Sequence, residues 1–173
     1  MLSNIQNFNK LSDYLPILNG SIVADLIVLF IVYYTRYFNS RELMKWYETY
    51  RLSAVIADVL ILVIGIVLAR AVFTYFNLSW NIWKFIAVVL TIQIIHDYLF
   101  YIMFQSIPRG TNHMFDLFKD YAKEVGVGAI LGDSFMIAIA VLLSSYFAGF
   151  SLHTNILLLI VSLYCIPYIL YTR

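Results

Sequence analysis

The chain has one cysteine, three prolines and few charged residues. Because Cys165 has no second thiol to pair with, the sequence excludes an intramolecular disulfide, a dithiol redox pair and a zinc site built on several thiolates. Eleven Lys and Arg nearly balance ten Asp and Glu, so no bulk basic field would gather nucleic acid. We expect no thiol chemistry, no nucleic-acid partner and no cofactor.

Apolar sequence dominates instead. Hydrophobic residues make up 62% of the 173 residues and charged residues 12%, compared with roughly 45–50% and about 25% in a soluble domain. Five apolar runs are long enough to cross a bilayer: 20–38, 53–76, 81–105, 127–149 and 152–171. We therefore expect one all-α domain over 1–173, a polytopic membrane helix bundle of five transmembrane helices. A re-entrant hairpin formed by the last two runs, leaving four crossings, is the alternative.

Two polar connections are predicted to form short interfacial helices. In 39–52, Asn39 is the expected N-cap, with Glu42 three residues later. In 107–125, Thr111 or Asn112 is the expected cap. The expected apolar faces are Leu43, Trp46, Tyr47 and Tyr50 in the first helix, and Met114, Phe118, Tyr121 and Val125 in the second. We interpret these aromatic side chains as anchors at the membrane surface.

The distribution of Lys and Arg predicts the orientation, because short loops rich in them stay on the cytoplasmic side. With five crossings, one face carries Arg36, Arg41, Lys45, Arg51, Arg109, Lys119, Lys123 and Arg173. The other face carries only Lys10, Arg70 and Lys84. We expect the first face to be cytoplasmic and the amino terminus to lie on the opposite side.

Each of the first four apolar runs contains one aspartate: Asp25, Asp58, Asp97 and Asp133. An ionised carboxylate at mid-bilayer costs about 2.5–3.5 kcal/mol even on a lenient scale, so each needs a partner, a proton or a polar cavity. Small residues one and four positions earlier precede Asp25, Asp58 and Asp133. This repeat indicates either an ancient duplication or one packing solution used three times.

Counting residues from the predicted helix ends places Asp58, Asp97 and Asp133 roughly 10–14 Å below the same surface. Clustered carboxylates at one depth favour a proton or cation site. Gln93 lies one turn from Asp97 and is expected to share its partner. His96 is also a candidate, although neighbouring residues on a helix point about 100° apart and so do not readily serve one site.

Asp25 enters from the opposite face, so we expect it in a different layer, paired with Arg70 or Lys84. The structural interpretation of all four carboxylates is that they hold helices together by hydrogen bonds. The donors available for this role are Arg36, Ser53, Tyr98, Tyr101 and Ser134.

A site at the cytoplasmic face is a further alternative. Asn112, His113 and Asp116, with Lys119, lie in one polar loop, and a metal-assisted lipid-modifying enzyme could use such groups. No established catalytic signature is present, however. The sequence therefore assigns no catalytic residue, and it leaves open whether a metal binds.

Three stretches carry a resemblance: residues 46–58 continued by Gly65 and Arg70, residues 93–100, and residues 116–126 leading to Asp133. Together they resemble an uncharacterised family of multi-spanning membrane proteins of nucleocytoplasmic large DNA viruses. The resemblance implies a place in the inner membrane of a virion and a role in joining that membrane to a capsid layer. It implies no catalytic residue.

The sequence thus favours a structural or scaffolding membrane protein, either forming a homo-oligomer or binding a capsid-layer protein. The first alternative is a proton or cation channel or transporter that uses the intramembrane aspartates. The second alternative is the lipid-modifying enzyme.

Overall fold

The computed structural model describes residues 2–35, 37 and 40–171, and this part of the chain is helical throughout, without a β-strand. After a 3-10 turn at Leu11–Asp13, the helices are α1 Tyr14–Tyr34, α2 Arg41–Tyr50, α3 Leu52–Tyr75, α4 Ile82–Ser106, α5 His113–Val125, α6 Val127–Phe147 and α7 Leu152–Tyr171. Five of them are long and apolar enough to cross a membrane. The predicted class, an integral multi-pass helix bundle, is confirmed.

The first helix differs from its predicted range of 20–38, since α1 begins at Tyr14 and ends at Tyr34. The reason is that its polar residues are buried in helix contacts. Asn19 donates to the backbone carbonyl and the side-chain oxygen of Asn155 in α7, at 2.9 and 3.0 Å. A polar side chain that is satisfied in this way does not interrupt a membrane helix. The other four ranges agree with the structure to within two residues.

The two amphipathic helices pack against each other at one end of the bundle. Ser40 caps α2 by accepting a hydrogen bond from the Leu43 amide at 3.0 Å, while the predicted cap Asn39 lies outside the described residues. Asn112 caps α5 by accepting from the amides of Met114 and Phe115. We call this the α2/α5 end.

The order of helices occurs twice. The first unit, α1–α2–α3, consists of a long helix, a six-residue connection, an amphipathic helix, one linking residue and a second long helix. The second unit, α4–α5–α6, has the same elements in the same order. The linking residues Arg51 and Gly126 both have positive φ, at 46° and 57°. The two units therefore run through the bundle in the same direction, and α7 follows as the fifth helix long and apolar enough to cross a membrane.

The units contact each other unequally. α1 packs along α6 more extensively than α4 packs along α3. Gly20 makes the first contact possible, because a Cβ there would lie 2.6 Å from the Ser144 amide nitrogen and 2.8 Å from the Ala140 carbonyl oxygen. Gly20 precedes Asp25 by five residues, and the residue five before Asp97 in α4 is Ile92. The second unit therefore has the bulky Ile92 at the position where the first unit has Gly20.

The end of the bundle opposite α2 and α5 is covered by residues 2–10. Ser3 exchanges two hydrogen bonds with Ser145 of α6, at 2.9 Å through its amide and 2.6 Å through its carbonyl. Ile5 is completely buried in the main hydrophobic core. From α3, Arg70 donates to the carbonyls of Asn7 and Lys10. This segment closes the opposite end.

Candidate functional site

A cavity of about 610 Å³ lies between α3, α4 and α6, on the side of the bundle where α2 and α5 cover it. Asp58 from α3, Asp97 from α4 and Asp133 from α6 line it, together with Gln93 and His96. Three carboxylates from three separate helices thus face one space inside the membrane-spanning part of the chain.

Asp58 has a donor from the first unit. The indole Nε1 of Trp46 lies 3.2 Å from its Oδ2. Trp46 is held in place because it is nearly buried and stacks at 4.9 Å against the rings of both Tyr50 and Phe118. The amphipathic helix α2 therefore positions a hydrogen-bond donor for the next membrane helix.

Asp97 receives two side chains from its own helix. Gln93 donates from Nε2 at 2.6 Å, and Nδ1 of His96 lies 3.2 Å from the same oxygen. The expectation that His96 and Asp97 would not meet is wrong, because the imidazole folds back toward the carboxylate despite the angle between the residues. The other oxygen, Oδ2, is buried and has no partner among the described residues.

Asp133 lines the cavity without a hydrogen-bond donor in the described part of the chain. Tyr121 of α5 also lines it. Burial raises the pKa of Tyr121, and the nearby carboxylates, first Asp133 and then Asp58, raise it further. The Tyr121 hydroxyl therefore lies close to the carboxyl groups of Asp133 and Asp58.

Asp25 was expected in another layer, paired with Arg70 or Lys84, and this expectation is wrong. Its Oδ1 accepts from the Tyr47 hydroxyl at 3.5 Å, and its side chain is fully buried. Burial raises the pKa of Tyr47, as do the neighbouring carboxylates Asp58 and Asp25. Asp25 therefore lies beside Asp58, at the same depth as the cavity carboxylates.

The two expected partners of Asp25 are engaged near the opposite end. Arg70 lies 3.7 Å from Asp13 and packs over the Tyr14 ring at 4.4 Å. Lys84 donates to Ser79 at 3.5 Å. Both lie too close to the opposite end of the bundle to reach Asp25.

The loop candidates Asn112, His113 and Asp116 lie at the start of α5. Asn112 caps that helix, and Asp116 accepts from the Gly110 amide at 2.8 Å. They are absent from the lining of the cavity. The structure gives Asn112 and Asp116 a role in ending the loop and starting the helix.

The donors that serve the carboxylates differ from those named from sequence. Trp46, Tyr47, Gln93 and His96 fill this role among the described residues, and Arg36 lies outside them. From their sequence pattern, Trp46, Tyr47 and Tyr121 are expected at the membrane surface only. A signal was present, since Trp46 and Tyr121 each precede an aspartate by twelve residues.

Comparison of the chain with protein-family models, curated proteins and solved structures finds no match. The resemblance to a viral membrane protein family therefore stays a prediction.

Proposed function

We propose that the protein is a membrane transporter that binds a cation or protons at Asp58, Asp97 and Asp133. The observation that carries the proposal is the convergence of these three carboxylates on one cavity of about 610 Å³. Carboxylates inside a membrane are costly, and they are kept where they serve an ion or proton path or hold helices together. Of the three, Asp133 has no donor among the described residues, so helix-to-helix bonding does not account for it.

The two ends of the bundle favour a transporter over a channel. A channel needs a continuous path, but residues 2–10 cover the end opposite α2 and α5, with Ile5 completely buried. Alternating access requires a substrate cavity that does not run through to both ends of the bundle, and the covering of this end by residues 2–10 meets that requirement.

The two units support the same function. Many transporters are built from repeats that cross the membrane in the same direction, and their substrate sites lie between the repeats. Here the cavity takes Asp58 from the first unit and Asp97 and Asp133 from the second. The basic residues on the connections at the α2/α5 end support a cytoplasmic location for that end in this proposal, with the amino terminus on the other side.

Scaffolding is the second candidate, and the closed half of the bundle favours it. The bonds of Asn19 to Asn155 and of Ser3 to Ser145 join different elements and hold that half of the bundle together. A scaffold in a virion inner membrane would use this half as a fixed frame. It predicts copurification with a capsid-layer protein and no ion movement.

Flux in liposomes tests the transporter proposal. Purified protein is reconstituted, a pH or cation gradient is applied, and proton and cation movement are followed with entrapped dyes. We expect wild-type flux above that of protein-free liposomes and at least a roughly tenfold loss in Asp97→Asn and Asp133→Asn, because each removes a carboxyl group that can take up a proton or a cation.

Glu48→Gln is the matched control, since Glu48 is an exposed acid on α2 outside the cavity lining. It should keep wild-type flux. The proposal would be contradicted if liposomes with wild-type protein showed no more flux than protein-free liposomes. It would also be contradicted if the aspartate variants showed wild-type flux.

A further inference from the structure

Aromatic side chains make up much of the cavity wall. Rings from α2, α4 and α5 reach it, namely Trp46, Tyr47, Phe100, Tyr101, Phe118 and Tyr121. No Lys or Arg of the described chain belongs to this lining. Arg109, Lys119 and Lys123 instead line an adjoining pocket of about 380 Å³, which shares Tyr101 and Ala122 with the cavity. The larger cavity therefore combines aromatic faces with carboxyl groups.

The three cavity carboxylates differ in how well the protein satisfies them. Asp58 accepts from Trp46, and Asp97 is contacted by Gln93 and His96. Asp133 has no such donor in the described chain, and one oxygen of Asp97 is buried without a partner. A buried acceptor without a donor is costly, so a ligand that supplies positive charge beside Asp97 and Asp133 would remove the cost at the buried oxygen of Asp97.

An inorganic metal ion fits these groups poorly. No three His, Cys, Asp or Glu side chains of the described residues lie close enough together to hold one metal ion. A divalent cation such as Ca²⁺ takes six to eight oxygen ligands, whereas the remaining lining is largely apolar. The walls suit a ligand with an apolar body.

We infer that the cavity binds a hydrophobic organic cation, with Asp133 as its main counterion and Asp97 beside it. This inference rests on the proposed transport function and names its substrate class. Aromatic faces attract cations through their quadrupoles, and such rings surround quaternary ammonium groups in known recognition sites. The volume lies within the range of about 300–1,000 Å³ that small-molecule sites occupy.

Two ions of the same four-ring shape and opposite charge test the inference. Tetraphenylphosphonium and tetraphenylborate are each offered to the protein in nanodiscs, and binding is measured by equilibrium dialysis. We expect saturable binding of the phosphonium alone, because only it complements the carboxylates. Equal saturable binding of both ions, or none of the phosphonium, would overturn the inference.

Aspartate variants then test which carboxylate contacts the bound cation. Asp133→Asn should weaken phosphonium binding roughly tenfold or more, since it removes the proposed counterion. Glu48→Gln should leave binding unchanged. If the melting curve shows that Asp133→Asn does not fold, Asp97→Asn and the comparison of the two ions on the wild-type protein still test the inference. An affinity that is the same in all folded aspartate variants would contradict the assignment.

The outcomes separate this inference from the proposed function. Saturable phosphonium binding without protein-dependent flux of protons, inorganic cations or organic cations in liposomes would refute transport and retain the organic-cation site. Proton or metal-cation flux that depends on Asp97, without phosphonium binding, would refute the organic-cation site and retain transport.

Discussion

The first unit, α1–α2–α3, and the second unit, α4–α5–α6, place their aspartates at the same points. Asp25 and Asp97 each lie nine residues before the end of their helix, and Asp58 and Asp133 each lie seven residues after the linking residue. Yet Asp25 is fully buried between helices, whereas Asp97 faces the cavity. The same backbone plan thus produces a packed interface in one place and a cavity in another.

The side chains at the contacts account for the difference. Gly20 lets α1 approach the backbone of α6 around Ala140 and Ser144. In α4 the matching residue is Ile92, which packs on the core as a bulky side chain. Small residues draw membrane helices together, and larger ones hold them apart. The closely packed contact and the more open one thus differ in residue type at this position.

The strongest test of this comparison is Gly20→Ala, with Gly65→Ala of α3 as its matched control. At Gly20 the new methyl group would meet backbone atoms at 2.6 and 2.8 Å, which cannot move aside. Overpacking of this kind costs about 3 kcal/mol, offset by about 1 kcal/mol from the better helix propensity of Ala. We expect a net loss of about 2 kcal/mol in the free energy of unfolding, measured in mixed detergent micelles.

At Gly65 the methyl group would lie 3.0 Å from Cδ1 of Ile137, the far end of a flexible side chain. The control should stay within about 1 kcal/mol of the wild type, since Ala gains helix propensity there. Equal effects of the two substitutions would show that α1 does not depend on close approach at Gly20.

The fold was predictable because membrane helices can be recognised in a sequence by their length and hydropathy. Four of the five spans agree with the structure to within two residues, and Asn112 caps α5 as expected. The start of α1 was not predictable from hydropathy. Asn19 looks like a loop residue until its partner Asn155 is known, and that partner lies 136 residues away.

The carboxylates of the site were predictable from the sequence, but the residues that contact them were not. Counting residues placed Asp58, Asp97 and Asp133 at one depth, and the structure puts all three on one cavity. The position of Asp25 was wrong because pairing by charge with Arg70 ignored depth, which is the same for Asp25 and Asp97. Trp46 and Tyr47 were missed because aromatic residues on an amphipathic helix ordinarily face lipid headgroups.

Trp46 and Tyr121 provide a second test, because each precedes its aspartate by twelve residues but only Trp46 donates to it, at 3.2 Å. Trp46→Phe keeps a ring and removes the N–H, so Asp58 loses this donor and, among the described residues, keeps only the hydroxyl of Tyr47. We expect a loss of about 1 kcal/mol in the free energy of unfolding, since a buried acceptor loses one of its hydrogen bonds.

Tyr121→Phe is the companion variant. No donation from Tyr121 to Asp133 is present, so its removal should change stability by less than about 0.5 kcal/mol. A loss as large as that of Trp46→Phe would mean that Tyr121 supports Asp133 as Trp46 supports Asp58, and the two units would then be alike at this position.

The smallest expected effect concerns how the amphipathic helices begin. α5 is capped by its own Asn112, whereas α2 depends also on Glu124 of α5, which accepts from the Ser40 hydroxyl at 2.7 Å and from the amides of Arg41 and Glu42 at 2.8 and 3.0 Å. Glu124→Gln keeps the shape and removes the charge. We expect a loss of about 0.5 kcal/mol, because Glu124 is exposed and charged caps contribute modestly there.

The pH dependence identifies this contribution. Burial raises the pKa of Glu124, but the hydrogen bonds from Glu42, Ser40 and Arg41 outweigh it and leave the pKa below its usual 4.5. The carboxylate therefore stabilises the folded chain fully at neutral pH, and this stabilisation is lost as the pH falls from about 4.5 through the folded pKa. Unfolding curves of Glu124→Gln and wild type should accordingly differ at pH 7 and converge in acid, while Glu48→Gln follows the wild type. A constant difference at every pH would assign the effect to lost packing, and the dependence of α2 on the second unit would then not be electrostatic.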